Sequence, residues 1–208
     1  RDRSPSRGLG DVYKRQGYDQ FLALSRQPSG FVQLSSHVGN YEIAGYSLMV
    51  ENKRLNALVF GGEKASVMTN RSRMFGKNNI RMIPIMADMS HLFMIDQALS
   101  NGEILSMPAD RVFGSQKAFT IDFMGEKAKF PQGPFLMAAI RNVPMLFVSV
   151  MKLSSKGYHI NVEKIECDEG GNIRGKATDL ATRYVKLLED TVRKYPAQWY
   201  NYFDFWAE

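Results

Sequence analysis

The run "FVQLSSHVGNYEIAGYSLM", Phe31 to Met49, carries two periods in nineteen residues. Its first part, "FVQLSS", is short, largely apolar and rich in β-formers, and reads as a strand; the part from Tyr41 onward spaces its apolar residues as a helix does, over Tyr41 to Asn52. Gly39 permits the turn between them and Asn40 is a favoured helix cap. The same alternation continues outward. "LNALVF", "RMIPIM", "EILSMP" and "KAFTIDFMG" read as strands, and Glu63 to Phe75, His91 to Ser100 and Gln132 to Arg141 as helices. "PMLFVSVMKL" and "YHINVEKIEC" form a hairpin pair across Ser154 to Gly157, and Thr178 to Lys194 is a long helix. Strand–helix alternation of this length predicts an α/β fold: a mixed, largely parallel central sheet flanked by helices on both faces.

At 208 residues, 44% hydrophobic and 23% charged, the chain can bury one sizeable core, and no repeat, linker or low-complexity segment divides it. The longest nearly continuous apolar stretch, Val143 to Met151, falls far short of the roughly 20 residues that cross a bilayer as a helix. The first sixteen residues, "RDRSPSRGLGDVYKRQ", are basic and lack apolar periodicity. They resemble translated vector or adapter sequence and are set aside as a non-native leader, so that 17–208 is read as a single domain truncated at its N-terminus. The leader holds five Lys/Arg and two Asp; the remainder carries 22 basic and 19 acidic residues, a net of +3 against +6 for the whole. That surplus is small and mostly unclustered, which argues against nucleic acid and suits an acidic protein partner or a phospholipid surface.

Cys167 is the only cysteine, so the chain has no internal disulfide framework and no cysteine-based zinc site, and a reducing compartment fits best. Nothing in "KIECDEGG" pairs Cys167 with a histidine, and it reads as an inert thiol. Asp88 and His91 have no further ligands at metal-binding spacing, and His159, in "YHINVEK", reads as a strand surface residue.

His37 and Glu42 lie five apart, about 140° around a helix axis, so both face one site only if His37 precedes the helix. His37 then sits at the C-terminal end of a strand with Glu42 in the first helical turn, where open α/β sheets place ligands. Glu42 could accept from one ring nitrogen and leave the other as a general base. A strand-end histidine with a first-turn glutamate favoured by the helix dipole would have the same spacing, so both readings stand on the residues alone.

The residues around the pair add a resemblance. "HVGNYE" (His37 to Glu42) resembles the His-x4-acid motif of the glycerolipid-type acyltransferase superfamily, in the H-x-G-N-W/Y-E form of the lipid A biosynthesis lauroyl and myristoyl acyltransferases. "NRSRMFG" (Asn70 to Gly76), "LSMPADRVFG" (Leu105 to Gly114), "AFTIDFMGEKAKFPQGPFLMA" (Ala118 to Ala138) and "YPAQWYNYFDFW" (Tyr195 to Trp206) are similar to later stretches of that family, in order.

The resemblance implies transfer of a fatty acyl group from an acyl carrier protein thioester, or acyl-CoA, to a hydroxyl of a membrane lipid, without a cofactor. The commonest acceptor in the family is a lipid A precursor. His37 would be the base and Glu42 its charge partner; backbone N–H groups at Gly39 and Asn40 are candidate oxyanion donors. Arg73, with Arg71 as its alternate in register, would contact phosphate or pantetheine, against a bland reading as solvated arginines. Asp110 matches the family's aspartate, with Arg111 replacing a polar neighbour, and the resemblance implies that both bind substrate, with a structural salt bridge between chain segments as the bland alternative. The methionine-rich "MIPIMADMSHLFMIDQAL" could line a chain slot, although such stripes are usually core. The six aromatics of "WYNYFDFW" suit either an interfacial face or a terminal helix packed on the sheet. The implied place is the cytoplasmic side of the inner membrane, peripheral or N-terminally anchored. Two departures bear on the acceptor: basic residues of the family's C-terminus are replaced by "YFDFWAE", and "FPQGP" lacks the E-G-T-R block of glycerol-phosphate acyltransferases. Another envelope lipid, such as an aryl-polyene lipid, a thioesterase, and a non-catalytic lipid-binding member of the fold are the alternatives.

Overall fold

The computed structural model describes residues 12–40, 42–43, 48, 50–60, 79–86, 88–112, 117–167 and 171–206. Among them are nine strands: β1 (Val12–Gln16), β2 (Phe31–Ser35), β3 (Leu55–Phe60), β4 (Ile80–Ile85), β5 (Ile104–Pro108), β6 (Ala118–Phe123), β7 (Glu126–Pro131), β8 (Met145–Ser154) and β9 (Gly157–Ile165). Four helices accompany them: α1 (Tyr18–Ser25), α2 (Ser90–Ser100), α3 (Gly133–Arg141) and α4 (Ile173–Lys194). Seven strands form one sheet in the order β1-β9-β8-β2-β5-β3-β4. β8, β2, β5, β3 and β4 run parallel, β9 returns antiparallel to β8, and β1 lies parallel to β9 at the edge. The expected α/β architecture is therefore present.

Both faces of the sheet are covered, which is why its central strands read as unbroken apolar runs. On one face Val32, Leu34, Leu105, Met107 and Phe147 pack against α2, α3, α4 and the β6–β7 hairpin. On the other, Phe31, Ile104, Leu146, Val148 and Val150 pack against α1 and Leu48. The alternation along β2 and β8 thus divides two cores at the pleat.

Several boundaries differ from the sequence reading. The helix from Tyr41 does not reach Asn52: Glu42 and Ile43 are helical, while Glu51 and Asn52 form a turn closed by a Val50–Lys53 bridge. Side-chain anchors hold that turn, with Asn52 Nδ2 donating to the Ser25 carbonyl and Lys53 Nζ to those of Ser29 and Gly102. The strand "EKAKFP" was not foreseen; it is β7, joined to β6 by Met124 and Gly125, both at positive φ. α4 begins at Ile173 rather than Thr178 because the Asn172 side chain caps it, accepting from the Gly175 N–H at 2.8 Å. Val12–Gln16, set aside with the leader, forms the edge strand β1. The expected helix Glu63 to Phe75 lies outside the described residues.

Candidate active site

β2 and β5 are parallel neighbours whose register pairs Ser35 with Pro108. His37 and Asp110 each stand two residues beyond that pair, so equal offsets on adjacent strands bring them side by side at the C-terminal end of the sheet. The Asp110 carboxylate takes two hydrogen bonds from one residue. Oδ2 accepts the His37 backbone N–H at 2.8 Å, and Oδ1 lies 2.8 Å from His37 Nδ1. Asp110 is fully buried, whereas the His37 side chain is 22% exposed. A buried carboxylate on Nδ1 selects the tautomer that carries its proton there, which leaves Nε2 as the ring's basic nitrogen.

The Ser35 carbonyl ties the two strand ends together. It accepts the Ala109 N–H at 3.1 Å and the Tyr184 hydroxyl, from α4, at 2.8 Å. Burial pushes the Tyr184 phenol well above its ordinary pKa, and the nearby Asp110 charge adds to the shift, so Tyr184 stays a neutral donor behind the His–Asp pair.

Beyond His37 the chain is held from two sides. The Gly39 N–H donates to the Gln198 carbonyl at 2.9 Å and the Asn40 N–H to the Val150 carbonyl at 2.8 Å. Gln198 also clasps Lys152, accepting its N–H through the side-chain oxygen and donating Nε2 to its carbonyl. At φ 69° and with the Val150 carbonyl 2.2 Å from where a Cβ would stand, residue 39 must be glycine. The Asn40 side chain accepts from the Ile43 N–H at 3.4 Å, as a cap does. The Gly39 and Asn40 N–H groups, expected as oxyanion donors, thus both donate to protein carbonyls in this structure.

His37, Glu42 and Arg111 line one cavity of about 730 Å³. Its remaining wall is largely apolar, with Leu58, Met82, Ile85, Ile95, Leu99 and Met107 among the contributors. The methionine-rich run thus supplies part of a cavity wall. Arg111 Nε is buried with no hydrogen-bond partner among the described residues, where the guanidinium makes a 3.5 Å contact to the Tyr200 carbonyl and a 5.9 Å approach to the Phe203 ring. Arg71 and Arg73 lie outside the described residues. No group of three or more metal-ligating side chains occurs among the described residues.

The C-terminal aromatics divide. Trp199, Phe203, Phe205 and Trp206 pack on one another or on Phe123, while Tyr200 and Tyr202, and the outer part of Trp206, are exposed. The packing follows a short 3₁₀ turn, Pro196–Gln198, rather than a terminal helix.

Sequence reasoning placed His37 and Glu42 at this site but kept Asp110 apart from them. The missed signal was the matching two-residue offset past two strands, readable once β2 and β5 are taken as neighbours.

The family model described as bacterial lipid A biosynthesis acyltransferase matches residues 5–206. No curated protein matches the chain.

Proposed function

The chain belongs to the bacterial lipid A biosynthesis acyltransferase family, and from that premise we propose that it moves a fatty acyl group from a thioester of acyl carrier protein, or of CoA, to a hydroxyl of a lipid A precursor. The observation that carries the reading is a histidine that lines a largely apolar cavity of ligand size and is backed by a buried aspartate. His37 Nε2 takes the proton of the acceptor hydroxyl as its oxygen attacks the thioester carbonyl carbon. Asp110, held on Nδ1, orients the ring and stabilises the imidazolium that forms. The tetrahedral intermediate then collapses, the C–S bond breaks, and the departing thiolate recovers the proton from His37, leaving an ester and a free thiol.

Glu42 lines the same cavity as His37 and is the second acid of the proposed site. Arg111, whose Nε has no partner among the described residues, lines the same cavity and would meet the oxyanion or an acceptor phosphate. Arg73 or Arg71 would meet phosphate or pantetheine. The apolar wall houses the acyl chain, and the working surface is the cytoplasmic face of the inner membrane, reached peripherally or through an N-terminal anchor.

The test is transfer of a radiolabelled acyl chain from acyl carrier protein to a lipid A precursor in detergent micelles. His37→Ala is expected to lower turnover by about 10³-fold, with its circular dichroism unchanged. Turnover within a few-fold of wild type in that variant sinks the base assignment, and free fatty acid as the sole product moves the reading to hydrolysis.

A further inference from the structure

The turn from β4 into α2 presents Met86, Met89, Leu92 and Phe93 to solvent, Phe93 being 73% exposed. Scattered single apolar side chains are ordinary on a surface, but four within eight residues form a patch. Met89 and Leu92 belong to this patch and also line the cavity that holds His37. The patch is therefore the outward continuation of the cavity wall.

The backbone of the turn is closed on itself. The Met86 N–H donates to His91 Nδ1, the Met89 N–H to the Met86 carbonyl, the Ser90 N–H to Asp88 Oδ1 and the Leu92 N–H to the Met89 carbonyl. Met89 is held at φ 60°, an uncommon conformation for a residue with a side chain, and the surrounding bonds maintain it. Four N–H groups of the described turn thus have partners, which lowers the cost of taking that backbone out of water.

We propose that this turn is a rim that seats in a lipid surface, so that an acyl chain passes between bilayer and cavity without crossing water. The occupant follows from continuity with the cavity. A protein covering Met89 and Leu92 would close the mouth, whereas a bilayer covers the same residues and leaves it open to chains. The formal net charge, +3 without the first sixteen residues and +6 with them, favours an anionic surface. Asp88, exposed and held ionised by the hydrogen bonds it accepts from Ser90, limits the rim to the interfacial layer. The cavity's role as a chain slot rests on the acyltransferase reading.

The experiment is co-sedimentation of the 208-residue chain with vesicles of phosphatidylcholine and phosphatidylglycerol. It compares wild type with Phe93→Asp and Met86→Asp, neither of which lines the cavity, and with Ile173→Asp, an exposed apolar residue on α4. Vesicle affinity is expected to fall about tenfold or more in the first two variants and to stay unchanged in Ile173→Asp, while turnover of a short-chain, water-soluble thioester stays unchanged in all three. Wild-type affinity in both rim variants, an equal loss in Ile173→Asp, or a wild-type dimer that Phe93→Asp converts to monomer would overturn the proposal. His37→Ala separates the two readings, since it should bind vesicles as wild type does. If wild type binds through the rim yet transfers no acyl group, the acyltransferase reading fails and the rim stands.

Discussion

Asp110 gives both oxygens to His37, one to its ring and one to its backbone, so the carboxylate fixes side chain and main chain together. Asp110→Asn keeps the volume but replaces a charged acceptor by an amide whose NH₂ group cannot accept from Nδ1–H. Either the ring or the His37 backbone N–H then loses its acceptor, and the imidazolium loses its counter-charge. We expect kcat to fall by about 10²-fold or more with KM nearly unchanged, since the residue does not line the cavity. Steady-state kinetics on the acyl donor checks this. His37 could be singled out from the chain because Gly39 and Asn40 follow it and mark a strand turning into a helix. Its bond to Asp110 could not, because 73 residues separate the two and only strand register joins them. Glu42 was the nearer acid along the chain and therefore the more visible one.

The β6–β7 hairpin is fastened to α4 by Glu189, whose Oε2 accepts the Met124 N–H at 3.2 Å. Arg193, one turn along the helix, donates two hydrogen bonds to Oε1. These bonds, the one from Arg193 first and then that from Met124, hold the Glu189 carboxyl below the ordinary carboxylate range. A carboxylate whose pKa is lower in the folded state stabilises the fold above its unfolded pKa, and the contribution disappears as pH falls through the folded value. Glu189→Gln should thus cost about 1 kcal/mol at pH 7, a difference from wild type that shrinks below the ordinary glutamate range. Urea unfolding at neutral and acid pH reads it directly. The hairpin shows why elements differ in legibility. β6 was visible through "AFTIDF", whereas β7 alternates Lys127 and Lys129 with only Ala128 and Phe130 on its buried side, a weak signal beside the apolar runs of the parallel strands.

Across the whole molecule, the fold class was readable because parallel strands buried on both faces must be apolar and must alternate with covering helices. The cavity was only partly readable. The methionine-rich run announced apolar volume, but whether that volume is filled depends on how α2, α3 and β3 meet, and no local pattern encodes that. Leu58, on β3, lines the cavity. Leu58→Trp should take up part of the slot and shift donor preference toward shorter acyl chains, by about two to four methylenes. Competition between donors of graded length measures the shift. The paired offsets past Ser35 and Pro108 carry a consequence for how such a chain tolerates lengthening. The distance along the sequence from His37 to Asp110 does not enter the geometry; only the count of two after each strand does. Extra residues inserted at a surface loop between β3 and β5 leave the pair untouched, while a single residue inserted at Ala109 carries the carboxylate away from the imidazole. The site is written as a frame, indifferent to the length of the text between its two marks and intolerant of one added letter beside either.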